Sequence, residues 1–125
     1  MTVLLNHTIV PVTDKVAGAT FFADLLGLPV RKQVGPFLPV QVNADLTFDF
    51  DDRRDVQPGH YAFLIDDNTF DELLARLRRE PAIDFGSGPG HGWDRQTNHL
   101  GGRGLYVRDP DGHSYEFFTT PPPLT

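Results

Sequence analysis

The chain has 125 residues, 39% hydrophobic and 22% charged, with no cysteine and a net charge of −6. That length fits one domain, or two small repeats sharing a core, with about 65–70% of the unfolded surface buried and no need of a disulfide or structural metal. Lack of cysteine excludes disulfides, zinc knuckles, iron–sulfur clusters and thiol nucleophiles. The acidic balance argues against a nucleic-acid partner, and neither a signal peptide nor an apolar run of the ~20 residues that span a membrane is expected, so the chain reads as soluble and cytoplasmic.

Residues 3–12 predict a strand that stops at Thr13-Asp14, either of which can N-cap the helix VAGATFFADLLG. Val16, Ala19, Ala23 and Leu26 fall on one stripe of that helix, and Gly27 followed by Pro29 ends it. Short strands are expected at residues 30–34, 37–42 and 46–50, punctuated by Gly35-Pro36 and Asn43-Ala44-Asp45. Residues 51–59 read as a solvated polar connector. A second strand follows at residues 60–65, with Asp66-Asp67 as caps and a helix over residues 69–79 that turns Phe70, Leu73, Leu74 and Leu77 inward. Pro81 breaks it, strands are expected near residues 82–85, 104–107 and 114–119, and the tail PPPLT is expected to stay unpacked.

The restart is the most informative feature. HTIVPVTD from His7 and HYAFLIDD from His60 each place a histidine at the head of an apolar strand and an aspartate seven positions later. Two stacked strand–helix–strand–strand–strand units are expected, a first module over about 1–55 and a second over about 56–120. If the halves close on each other, His7 and His60 become symmetry mates, and Glu116 falls on the last strand of the second half.

Glu116 sits among Tyr115, Phe117 and Phe118, where an ionised carboxylate needs a partner or a metal. Two imidazoles and a carboxylate form a facial set with open coordination positions, suited to Fe(II) and also to Mn(II), Co(II) or Zn(II). The alternative is that both histidines are satisfied structural residues and Glu116 pairs with an arginine. Asp49 is the positional counterpart of Glu116 in the first half: a ligand, a substrate contact or a solvent-facing strand residue.

Residues 86–104 hold seven glycines with His91, Trp93, Asn98 and His99. Without a lysine and hydroxyl residue in phosphate-loop spacing they read as a binding loop or lid rather than a nucleotide site. Trp93 can stack on a flat substrate, Asn98 can bind it, and His91 or His99 can move protons, each against the plainer reading of an exposed loop residue. Asp109-Pro110-Asp111-Gly112 forms a turn, with His113 structural or exposed, and Tyr61, Tyr106 and Tyr115 are candidate donors to an oxyanion.

LNHTIVPVTDKVAGATFFADLLGLPV and GLYVRDPDGHSYEFFT resemble the opening strand–helix and the closing hairpin of the vicinal oxygen chelate superfamily. The fold this implies is α+β, with two βαβββ modules forming a cupped mixed sheet around a metal site. The family's metal positions fall on His7, His60 and Glu116. LTFDFD lacks the fourth-strand glutamate of glyoxalases, and the tail after Arg108 lacks the basic residues of fosfomycin enzymes. HYAFLI and TNHLGGRGLYV are similar to a small group of chartreusin-type polyketide-rearranging dioxygenases. That resemblance implies a metal-dependent dioxygenase, most simply using Fe(II), that acts with an oxygen species on a phenolic or polycyclic aromatic substrate. Tyr106 with His91 or His99 would be its catalytic residues, and Asp49, Trp93 and Asn98 would bind substrate. It also implies a homodimer whose chains can share sites. A non-redox antibiotic-resistance transferase or glyoxalase-like lyase, and a non-catalytic drug-binding protein, are the competing readings.

Overall fold

The structure, a computed structural model, describes residues 1–123, so Leu124 and Thr125 of the expected unpacked tail lie outside the described residues. The described residues form two compact units, 1–57 and 58–123.

The first unit contains β1 (His7–Pro11), α1 (Lys15–Leu26), β2 (Leu38–Gln41) and β3 (Thr47–Asp51), in sheet order β1-β3-β2. β3 runs parallel to β1 and antiparallel to β2. β1 is shorter than the predicted strand because β3, its one partner, begins at Thr47, whose N–H donates to the Asn6 carbonyl at 2.9 Å. Val3, Leu4 and Leu5 lie beyond the end of that ladder and are exposed.

The Asp14 carboxylate accepts the Ala17 N–H at 3.1 Å and caps α1, and Gly27 ends the helix with a left-handed φ of 66°. Gly18, Ala19, Phe22, Ala23 and Leu25 face the core, whereas Val16 is exposed, contrary to the predicted stripe. The close approach of Gly18 to Val12 explains the rotation: a Cβ on Gly18 would lie 2.8 Å from Val12 Cγ1. The helix therefore rests on its glycine side and stacks Phe22 on Phe48, ring centroids 5.0 Å apart.

The strand predicted at residues 30–34 is reduced to two isolated bridges, Val30 with Val40 and Val34 with Phe37. Pro39 has no N–H to give, so its carbonyl alone, accepting from Arg31, continues that ladder. The polar connector is also not wholly solvated. Asp51 is fully buried, and its carboxylate accepts from Arg53 Nε at 3.1 Å and Arg54 Nε at 3.0 Å.

The second unit contains β4 (His60–Leu64), α2 (Asp67–Arg78), β5 (Asp84–Gly86), β6 (Gly104–Arg108) and β7 (Ser114–Phe118), in sheet order β4-β7-β6-β5. β4 and β7 are parallel and the other pairs antiparallel, which makes a complete βαβββ module. The Asp66 carboxylate caps α2 by accepting the Thr69 N–H at 2.7 Å. Phe70, Leu73, Leu74 and Leu77 are buried, as their spacing predicts. β5 starts at Asp84 rather than residue 82, because a turn closed by Ile83 N–H on the Glu80 carbonyl occupies the chain before it. Tyr115 and Phe117 enter the core with Phe85, Leu105 and Val107, so alternation turns Ser114, Glu116 and Phe118 to the other face. Among the described residues no helix is long and apolar enough to cross a membrane.

Removing the stacked ring in Phe22→Ala should destabilise the protein by about 3–5 kcal/mol in denaturant titration. The Arg53 hydrogen bonds, ahead of those from Arg54, hold the Asp51 carboxyl well below the usual carboxylate range. Its contribution is therefore complete at neutral pH and is lost as pH falls below the ordinary value of 3.8. Asp51→Asn should lower the melting temperature at pH 7 and weaken its fall on acidification.

Candidate metal centre

Parallel pairing of β4 with β7 sets His60 opposite Ser114 and Ala62 opposite Glu116. His60 and Glu116 thus emerge on one face, with His60 Nε2 3.1 Å from Glu116 Oε1. On the other side of the imidazole, Nδ1 lies 3.3 Å from Ser114 Oγ. β6 places Tyr106 opposite Glu116, with its ring stacked near His60 at a centroid distance of 6.0 Å. Burial, then the hydrogen bond and negative charge of Glu116, push the Tyr106 phenol upward, so it remains a protonated donor at neutral pH. Of the three candidate tyrosines only Tyr106 stands beside Glu116 in the sheet. Tyr115 is buried and donates to Asp109 Oδ2, and Tyr61 stacks on Tyr115.

The chemistry of these donors fits a divalent cation. Two ligand atoms at about 2.1 Å from one ion and about 90° apart lie about 3.0 Å from each other, close to the separation of Nε2 and Oε1 here. In the ion-free arrangement Nε2–H donates to the Glu116 carboxylate and the Ser114 hydroxyl donates to Nδ1. Because that hydroxyl can equally accept from Nδ1–H, His60 can turn a Nε2 lone pair to an ion while Ser114 gives the usual outer support of a ligating histidine. Among the described residues no three His, Asp or Glu side chains gather into one metal-holding group.

The first unit repeats this register. β1 sets His7 opposite Thr47 and Ile9 opposite Asp49, so Thr47 and Asp49 stand to His7 as Ser114 and Glu116 stand to His60. His7 Nδ1 lies 2.9 Å from Asn6 Oδ1, the same kind of support. His7, Thr47 and Asp49 line an open depression of about 320 Å³ whose apolar wall is Val34, Phe37 and Pro39.

The glycine-rich loop is anchored at its centre. The Asp94 carboxylate accepts the Ser87 N–H at 2.9 Å and the Ser87 hydroxyl at 2.8 Å, which lowers its pKa. The Arg95 guanidinium donates to the carbonyls of Ile83 and Leu77. Trp93, at a φ of 53°, holds its ring under the Arg108 guanidinium at 4.9 Å, so one ring face is already occupied. Asn98 donates to the Ser87 carbonyl at 2.9 Å and shares with Glu116 the lining of a cavity of about 80 Å³. Both the His91 and Tyr106 rings flank Gly88, where a Cβ would lie 3.3 Å from the His91 ring and 4.0 Å from that of Tyr106. His99 is exposed.

The profile of the Glyoxalase/Bleomycin resistance protein/Dioxygenase superfamily matches residues 4–117. The chain belongs to this superfamily. Its two βαβββ-like modules, the first with one strand reduced to isolated bridges, are the vicinal oxygen chelate fold, whose members typically bind divalent metals. Among solved structures the chain is similar to Oxidase ChaP-H2, with 45% identity, a TM-score of 0.89, and coverage of 97% of this chain and 96% of that one. It is also similar to Oxidase ChaP-H1, with 48% identity, a TM-score of 0.85, and coverage of 96% and 98%. Among curated proteins, the glutathione transferase FosA of Serratia marcescens is 30% identical over 90% of this chain and 77% of its own length.

The sequence reading missed a buried polar cluster at the superfamily's closing turn. The Asp109 carboxylate accepts the N–H groups of Asp111 and His113 on Oδ1 and the Tyr115 hydroxyl on Oδ2 at 3.2 Å. Burial pushes the pKa of Asp109 up. Tyr115→Phe should cost about 1–3 kcal/mol of stability, measured by denaturant unfolding, because it removes a hydroxyl from a buried carboxyl group.

Proposed function

We propose that this superfamily member is a metal-dependent oxidase, of dioxygenase type, that cleaves or oxidatively rearranges a phenolic or polycyclic aromatic substrate such as a polyketide. The observation that carries the reading is the convergence of His60 Nε2 and Glu116 Oε1 at 3.1 Å beside Tyr106. Similarity of 45% and 48% to two oxidases over nearly the whole chain supports it.

In this reading His60 and Glu116 hold the ion, and His7 completes the facial set from a first unit, of the same chain or of a partner in a homodimer. Fe(II) is the proposed ion. When bound it supplies the Lewis acidity that eases ionisation of a chelating substrate hydroxyl and the redox capacity to use an oxygen species. Ser114 and Asn6 orient the two imidazoles through Nδ1. Tyr106, kept protonated, donates to an oxyanion on the substrate, and Asp49 accepts from a substrate hydroxyl. The apolar wall of Val34, Phe37 and Pro39 receives the flat ring and excludes water from it. Asn98 and Trp93 border the substrate from the loop, and His91, which like Tyr106 flanks Gly88, moves a proton in preference to His99.

The 30% identity to a glutathione transferase favours a second reading, a non-redox transferase built on the same ligands. Oxygen dependence separates the two. Anaerobically purified protein should carry near-stoichiometric iron that His60→Ala and Glu116→Ala lose while remaining folded. Turnover of a polycyclic phenol should require both that metal and oxygen, supplied as dioxygen or as a peroxide. Full activity with Zn(II) in the absence of oxygen would establish the transferase instead, and tight binding without product, indifferent to chelator, would establish a drug-binding protein.

A further inference from the structure

The turn that carries Asp109 reaches back to the strand that presents His60. His113 is fully buried, and its Nδ1 accepts the N–H of Gly59, the residue before His60, at 2.9 Å. The Gly59 carbonyl in turn accepts the Ser114 N–H at 2.9 Å. Both backbone groups of Gly59 are thus held by consecutive residues of the closing hairpin, one by a side chain and one by the main chain. The hold is itself fixed. Asp109 Oδ1 accepts the His113 N–H at 2.8 Å, and the Asp109 N–H donates to the His113 carbonyl at 3.0 Å. The Tyr61 ring stands edge-on to His113 at 6.0 Å. Gly59 lies under that same ring: a Cβ on it would meet the Tyr61 hydroxyl oxygen at 3.0 Å.

The position of His60 makes this grip consequential. His60 is the first residue of β4, and among the described residues β4 is an edge strand paired with β7. The chain before it is the exposed connector ending in Gln57 and Pro58. The first residue of an edge strand frays unless something outside the ladder secures it, and ligand positions held loosely lose metal affinity.

We propose that His113 is a positioning residue for the metal centre, its buried Nδ1 clamping the Gly59 N–H so that His60 meets Glu116 at ligand distance. This rests on the metal reading above, with His60 and Glu116 as ligands. Asparagine keeps an acceptor at the place of Nδ1, whereas glutamine offers its polar atoms at the place of Nε2. Both bury an amide, so comparing them separates the clamp from the general burden of changing a core residue.

The test measures Fe(II) and Co(II) affinity by anaerobic titration of the full-length protein, with stability and Gly59 amide exchange recorded for each variant. His113→Gln should weaken metal binding by about 10–100-fold and speed exchange of the Gly59 amide. His113→Asn should stay within about threefold of the unmutated protein, taking the low end of that outer-support range as the margin. Tyr115→Phe, which loosens the same cluster without touching Gly59, should leave metal affinity unchanged even where it destabilises. Equal losses in His113→Asn and His113→Gln, or an equal loss in Tyr115→Phe, would make His113 a purely structural residue and overturn the proposal. Metal uptake that His60→Ala abolishes and His113→Gln leaves intact would overturn the clamp alone. An unmutated protein that takes up no metal would overturn the metal reading and the clamp together.

Discussion

Parallel pairing between the first and last strand of each unit is the constraint on which the candidate site depends. Parallel strands keep a fixed, slanted register, and side chains alternate faces along them. Once His60 is opposite Ser114, Glu116 must emerge two residues further on, on the face that His60 uses. The same pairing in the first unit puts Asp49 on the His7 face. A shift of one residue would send Glu116 into the core and Tyr115 out of it. The aromatic residues on the buried side of β7 therefore hold the register that the polar side needs.

Buried carboxylates secure the chain just outside those strands. Asp51 closes β3 and gathers the arginines of the connector, Arg53 and Arg54, around itself. Asp109 organises the turn before β7 and through His113 reaches the residue before β4. Both are charged or hydrogen-bonded groups taken from water with their partners in place, the condition under which burial of a carboxyl group is tolerated. The connector between the units is thus gripped at both ends, though its composition reads as a solvated loop.

Much of the fold was legible because it rests on local signals. The caps at Asp14 and Asp66, the stop at Gly27 and the apolar face of α2 each depend on neighbours within one or two turns of chain. The less legible features depend on partners distant in sequence. The length of β1 is decided by where β3 begins, and the strand expected at residues 30–34 dwindles because Pro39 interrupts its ladder. Val16 turns outward because Gly18 lets α1 sink against Val12. Of the candidate site, the pairing of His60 with Glu116 follows from two histidines at equivalent repeat positions, and the choice of Tyr106 among three tyrosines needed the β6–β7 register. The aspartate of the closing turn showed in sequence only as a turn former, since its other partners lie on a buried face that no spacing rule reveals.

The most direct measurement is anomalous diffraction from crystals of the protein loaded anaerobically with Fe(II). The proposed function predicts one strong iron peak within about 2.2 Å of both His60 Nε2 and Glu116 Oε1, with Nδ1 of His60 still on Ser114. Iron bound elsewhere, or His60 and Glu116 still hydrogen-bonded to each other with no metal between them at saturating Fe(II), would contradict the assignment of this pair as ligands.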